Sequence, residues 1–143
     1  MSFFLRYKLS SLERQSLLLI FERVSELVAL LIKEFSGVHH RLELVRVLNG
    51  VEWYNDSAST SPTRGISALN AFKDKEIVLI AGGADKNLDY TPIGKPIVDG
   101  VSSLILIGQT ATKIYDAVKK ELEAQNKQLD IHWCDTFDQS LET

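Results

Sequence analysis

A single cysteine, Cys134, stands in 143 residues. It excludes an internal disulfide and any zinc cage built from cysteines, and it fits a reducing, cytoplasmic setting. Basic charge is not in excess either. The 16 Lys and Arg are outnumbered by 19 Asp and Glu, for a formal charge of −3, which speaks against a nucleic-acid footprint and against a basic membrane-surface patch. The apolar stretch Leu17–Phe21 is cut by Glu22 and Arg23, well short of the roughly 20 residues that cross a bilayer. No small-residue cleavage site follows it as in a signal peptide. Phosphate-cradling loops of the GxxxxGKS/T and GxGxxG kinds are missing. Gly94-Lys95-Pro96 imitates the end of the first but puts proline where the hydroxyl residue belongs. Internal repeats and low-complexity linkers are absent as well.

What is present suffices for one globular core. The chain is 45% hydrophobic and too short for two comfortable cores. From Ser11 to Phe35 apolar residues recur at helical spacing: Leu17, Leu18, Phe21, Val24, Leu27, Val28, Leu31, Ile32 and Phe35. Ser36-Gly37 is a good stop, and Ser25-Glu26 offers a fresh N-terminus that would split the helix in two. Two alternating runs around Asn49-Gly50 then predict a hairpin with a type I′ turn. Pro62 opens a helix with Ile66, Leu69 and Phe72 on one face. The continuous apolar runs EIVLIAGG and SSLILIGQ, with the weaker LDIHWCD, predict strands buried on both faces. Helical stretches near Ile93–Asp99 and over Ala111–Gln125 separate them, and DTFDQSLET begins another. The expected fold is a three-layer, Rossmann-like α/β domain: a mostly parallel sheet with helices on both faces, preceded by a helix and a hairpin.

In such sheets ligands bind beyond the C-terminal ends of the strands. Three loops are placed there: NDSASTSPTR at 55–64, AGGADKNLDY at 81–90 and GQTATK at 108–113. In the first, Asp56 suits a ribose diol or a metal-bound water. Ser57, Ser59, Thr60 and Ser61 supply hydroxyls, and the helix N-terminus supplies free N–H groups. A plainer reading is that Ser61 or Thr60 caps the helix and Asp56 favours its dipole; capping needs two hydroxyls, and four are present. In the second, Lys86 is either a fixed cation for a carboxylate or phosphate, or a solvated lysine in a turn. His39-His40-Arg41 reads as a hinge, a metal pair or a capped helix end. No third ligand lies nearby, which disfavours the metal. His132 reads as a packed core or edge residue, and Cys134 as a buried small hydrophobe.

FSGVHHRLELVRVLNGVEWYNDSASTSPTRGISALNAF, followed by VLIAGGADKNLDYTPI, resembles the C-terminal domain of the Mur ligases, within them the D-glutamate-adding branch. The most specific parts are H-R-L-E, N-D-S with its small hydroxyl residues, and G-G-x-D-K. The resemblance covers the chain from about Val24 onward. It implies an ADP-forming ligase of peptidoglycan synthesis in the cytoplasm. There ATP and Mg2+ serve to activate the carboxylate of UDP-N-acetylmuramoyl-L-alanine as an acyl-phosphate, and D-glutamate attacks it. By the same resemblance, Arg41, Asn55 and Asp56 contact the nucleotide, while Thr60 and Lys86 hold D-glutamate. No catalytic residue and no metal ligand is expected within the chain, and no tightly bound cofactor.

The expected partners are a central ATPase domain and an N-terminal UDP-binding domain, both missing here, with no nucleic acid and no membrane. Residues 1–37 read as a helical segment left from the central domain, and 38–143 as the C-terminal domain, cut before the serine-proline stretch that completes the family's D-glutamate pocket. Ala58 stands where many relatives carry lysine, and residues 1–23 depart from the family's helix. Two other readings remain open: a non-catalytic module docking a partner or a second copy through the apolar helix, and a small nucleotide-binding α/β protein.

Overall fold

The computed structural model describes residues 11–34 and 37–142, with side chains over 19–30 and 37–142. The readings placed on residues 1–10, on Phe35 and Ser36, on Thr143 and on the side chains of Leu17, Leu18, Leu31 and Ile32 lie outside them. The chain divides into two compact units, Met1–Val38 and His39–Thr143.

In the first unit α1 runs unbroken over Ser11–Glu34. The expected break at Ser25 is not made, because the Ser25 hydroxyl donates to the Glu22 carbonyl at 2.7 Å. That bond turns the side chain back along the helix instead of capping a new one. Ile20, Phe21, Val24, Leu27 and Val28 are all exposed. Among the described residues no helix is long and apolar enough to cross a membrane.

The second unit opens with the hairpin of β1 (Glu43–Leu48) and β2 (Val51–Asn55), paired antiparallel with an irregularity between Leu44 and Arg46. Asn49 and Gly50 both have positive φ, 52° and 83°, as a type I′ turn requires. The hairpin is a sheet of its own. Its loop therefore follows an antiparallel strand rather than a strand of the parallel sheet, contrary to the expectation of one shared strand edge. Tyr54 packs on Phe72 with ring centroids 4.6 Å apart, and Glu52 pairs with Lys75. Both contacts anchor β2 to the end of α2 (Pro62–Ala71).

The parallel sheet comprises β3 (Val78–Gly82), β4 (Ser103–Ile107) and β5 (Asp130–Cys134), with β4 central. A 3-10 turn over Thr91–Ile93 and α3 (Gly94–Gly100) cross from β3 to β4, and α4 (Ala111–Gln125) crosses from β4 to β5. Right-handed crossovers bring α3 and α4 to one face. There Leu104 and Leu106 meet Ile97, Val98, Ile114 and Val118, with Leu69 of α2 at the margin. Burying each such side chain contributes roughly 1.5–3 kcal/mol. Gly94 sits where α3 meets α4. A Cβ there would lie 2.3 Å from the Ala117 carbonyl oxygen, so the GKP stretch serves close helix packing. Asn126, left-handed at φ 50°, ends α4. The final helix, α5 (Phe137–Glu142), packs on β4 and β5. The strand alternation points Ile105 away from the α3–α4 core, where it is nonetheless buried, and α5 covers that second face. The expected architecture holds.

Candidate functional site

The residues singled out by sequence fall on two loop clusters. The first joins the H-R-L-E junction to the loop after β2. Glu43, at the start of β1, turns back on the junction. Its Oε2 accepts the His40 N–H at 2.8 Å, and its Oε1 lies 2.9 Å from His39 Nδ1. The His40 N–H, then the His39 side chain, hold the Glu43 carboxyl below the usual range. Asp56 holds the other side of the junction, its Oδ1 accepting the Leu42 N–H at 3.1 Å. The Ala58 N–H donates to the His40 carbonyl at 2.9 Å. The Asn55 side-chain Oδ1 accepts the Ser57 N–H at 3.0 Å. The Asn55 side-chain amide nitrogen therefore faces His40 Nδ1, 2.8 Å away. The His39 and His40 rings lie 6.3 Å apart, the first against Glu43 and the second against Asn55. Arg41, between them and Leu42, is exposed and has no hydrogen-bond or ion-pair partner among the described residues.

Ser61 has the extended backbone of an N-cap, yet its side chain makes no capping bond. The hydroxyls of Ser57, Ser59 and Thr60 likewise have no partner among the described residues. Capping therefore does not explain the four hydroxyls, and one of the two Asp56 oxygens is committed to Leu42. Arg64 reaches back to the Ala58 carbonyl at 3.2 Å, tying the first turn of α2 to the loop.

The second cluster lies at the C-terminal ends of β3 and β4. Gly82 and Gly83 have φ of 142° and 136°, backbone open essentially to glycine alone. The Gly83 N–H donates to the Ile107 carbonyl at 3.2 Å, and the Gly83 carbonyl accepts the Thr110 N–H at 3.1 Å. Asp85 is fixed three ways. Its N–H donates to Gln109 Oε1 at 3.1 Å, one carboxylate oxygen accepts the Asn87 N–H at 2.8 Å, and the other pairs with Lys113 Nζ at 2.7 Å. Lys113, then the Asn87 N–H, hold its carboxyl below the usual range. Lys86, next in sequence, is exposed and has no partner among the described residues. Sequence reasoning placed Lys86 and missed Asp85, Gln109 and Lys113. The signals were present without a role attached: Asp85 lies in the G-G-x-D-K motif, and Gln109 and Lys113 lie in the GQTATK loop.

Arg41, Asn55 and Asp56 thus share one hydrogen-bonded junction, with Thr60 four residues beyond Asp56. Lys86 belongs to the other cluster, and among the described residues no hydrogen bond or ion pair joins the two. Lys75, Lys95, Lys113 and Lys127 are each paired with a carboxylate, whereas Arg41 and Lys86, like Lys73 and Lys120, have no such partner among the described residues. In the first cluster the unpaired Arg41, the unbonded hydroxyls and the second oxygen of Asp56 suit an anionic ligand carrying a diol, and in the second the unpaired Lys86 suits a carboxylate or phosphate. Among the described residues no three His, Cys, Asp or Glu cluster to hold a metal ion. His132 lies half-buried on β5, 2.8 Å from Asp130, and Cys134 is half-buried rather than sealed in the core.

The family model described as "Mur ligase, glutamate ligase domain" matches residues 40–143. UDP-N-acetylmuramoylalanine–D-glutamate ligase of Acetivibrio thermocellus is 54% identical over 97 residues, 68% of this chain and 21% of the relative. Its namesake in Ruminiclostridium cellulolyticum is 45% identical over 119 residues, 82% of this chain and 25% of the relative. That of Symbiobacterium thermophilum is 49% identical over 89 residues. The chain spans about a fifth to a quarter of the length of these curated relatives.

Proposed function

The chain belongs to the Mur ligase family, as a glutamate ligase domain, and from that premise we propose that it is the part of a UDP-N-acetylmuramoylalanine–D-glutamate ligase that closes on ATP and presents D-glutamate. In the whole enzyme the substrate carboxylate takes the γ-phosphoryl group of ATP, releasing ADP. The amine of D-glutamate then attacks the acyl carbon, inorganic phosphate leaves and a proton is lost from the nitrogen. Mg2+ supplies charge neutralisation at the phosphates. No phosphate loop exists in this sequence, so phosphoryl binding and metal ligation fall to the central domain of such enzymes, and UDP recognition to their N-terminal domain. The setting is the cytoplasm.

Within this part, Asp56 and Asn55 address the ribose and Arg41 the phosphates. Lys86 and Thr60 hold the carboxylates of D-glutamate, for which a fixed cation and a hydroxyl donor are suitable partners. The observation that carries the reading is the braced junction that leaves Arg41 unpaired beside Asp56. Amide chemical shifts during separate titrations with ATP and D-glutamate test it. Millimolar binding with shifts at 41, 55–61 and 82–88 is the expected result; a folded spectrum that moves with neither ligand would overturn a ligand edge in this chain. Self-association through α1 is the finer reading of its partners. It rests on the exposed apolar residues from Ile20 to Val28, and sedimentation that stays monomeric across a concentration series would end it.

A further inference from the structure

Two of the three residues 40–42 occupy left-handed backbone: His40 at φ 61° and Leu42 at φ 43°. For a side chain without a short polar group this conformation costs on the order of 1–2 kcal/mol per residue, and a bulky leucine is among the least suited to it. Such strain persists only where the surroundings over-determine it. Here they do. The N–H of each strained residue is held by a carboxylate, His40 by Glu43 at 2.8 Å and Leu42 by Asp56 at 3.1 Å. The His40 carbonyl is held by the Ala58 N–H, and its ring by Asn55. The residue between the two strained positions is Arg41, which takes no part in the bracing.

Resting on the nucleotide reading above, we infer that Glu43 is a positioning residue: it locks the left-handed turn that presents Arg41 in a fixed relation to Asp56, so that an anion and a diol of one nucleotide are met together. Asp56 cannot supply the lock alone, because it reaches only the Leu42 side of the turn. Glu43 reaches the His40 side: its backbone pairs with Asn55 across the hairpin, while its carboxylate meets only the two histidines. A guanidinium on a relaxed turn would still be attracted to phosphate, but ordering it would cost part of the binding free energy.

The test is a double-mutant cycle on this chain. ATP affinity is read by chemical-shift titration for the wild type, Glu43→Ala, Arg41→Ala and the double variant, with residual dipolar couplings over His40–Leu42 measured in parallel. Glu43→Ala is expected to weaken ATP at least fivefold and to shift the couplings out of left-handed values. It should add less than twofold once Arg41 is already alanine. Glu43→Gln, which keeps one acceptor for the His40 N–H, should restore most of the affinity. An equal loss from Glu43→Ala in both backgrounds would overturn the positioning role, as would unchanged couplings. A wild-type chain that binds no ATP would overturn the nucleotide reading instead, and the couplings would then decide by themselves whether Glu43 holds the turn.

Discussion

Lys113 Nζ lies 2.7 Å from Asp85 Oδ2, joining the first turns of α4 to the loop after β3 across 28 positions of sequence. The pair stands immediately beside Lys86 and leaves it alone. A cation on a loop is useful to a ligand only if its own neighbours do not neutralise it. Here Lys113 occupies the carboxylate of the neighbouring residue, Asp85.

Removing that occupant exposes the arrangement. In Lys113→Met, Asp85 should turn toward Lys86, and amide exchange over residues 84–88 should speed up severalfold as the loop loosens. The melting temperature should barely move, as expected for a solvent-exposed ion pair. Exchange unchanged from the wild type would show that Gln109 and Asn87 hold the loop by themselves.

Lys86→Ala addresses the ligand directly. In an enzyme assembled from this domain and the domains its relatives carry, the KM for D-glutamate should rise roughly 10- to 100-fold. That is the usual magnitude of one lost hydrogen bond to a charged group. The KM for ATP should stay within about twofold of its starting value by the same argument of separate contacts. Steady-state kinetics with each substrate varied in turn checks this, and equal losses on both would remove Lys86 from the D-glutamate site.

Asp99 sets a pH dependence. Lys95 and Lys127 flank it at 2.7 and 2.9 Å and lower its carboxyl from 3.8 to about 2. A depressed carboxyl contributes stability above its unfolded value and loses it as the pH falls through the folded one. This contribution is therefore intact above about pH 4 and lost as the pH falls through about 2. Asp99→Asn should melt lower at neutral pH and show a shallower fall between those limits. Melting curves across the acid range decide it, and parallel curves for the two proteins would contradict the assignment.

Gly82→Ala should be severe. The added Cβ would sit 1.7 Å from the Ile107 carbonyl oxygen, at a φ of 142°. Overpacking and a glycine-only backbone together predict a loss of about 2–5 kcal/mol in denaturant unfolding. Gly83→Ala, where no atom lies within 4 Å but φ is 136°, should cost only the backbone part, about 1–3 kcal/mol.

The elements were legible because each announces itself locally. Asn49-Gly50 permits two positive φ values in a row, Pro62 pre-sets the first turn of α2, and the apolar runs around Ile80 and Ile105 suit strands of a parallel sheet, although only β4 is buried and β3 is half-buried with Val78 exposed. The candidate residues were legible only as chemical types on loops. What could not be read were the braces. Asp56 finds Leu42 across 14 positions and Asp85 finds Lys113 across 28, partnerships that exist only after the chain has turned. The unbonded Ser61 is the reverse case. Its position and extended backbone favour a cap, and only the folded loop shows that its hydroxyl is not used as one.

Asp56 has two employers. One of its oxygens keeps Leu42 in place at 3.1 Å, and the other is, in the function proposed above, the one that meets a ligand. Selection acting on ligand choice at this position must therefore preserve a fold contact at the same time. That narrows the viable alternatives to side chains able to accept a hydrogen bond in the same place. It also entangles genetics with chemistry: a variant of Asp56 that fails to bind has lost its hold on the Arg41 turn as well, and its defect belongs to both histories at once.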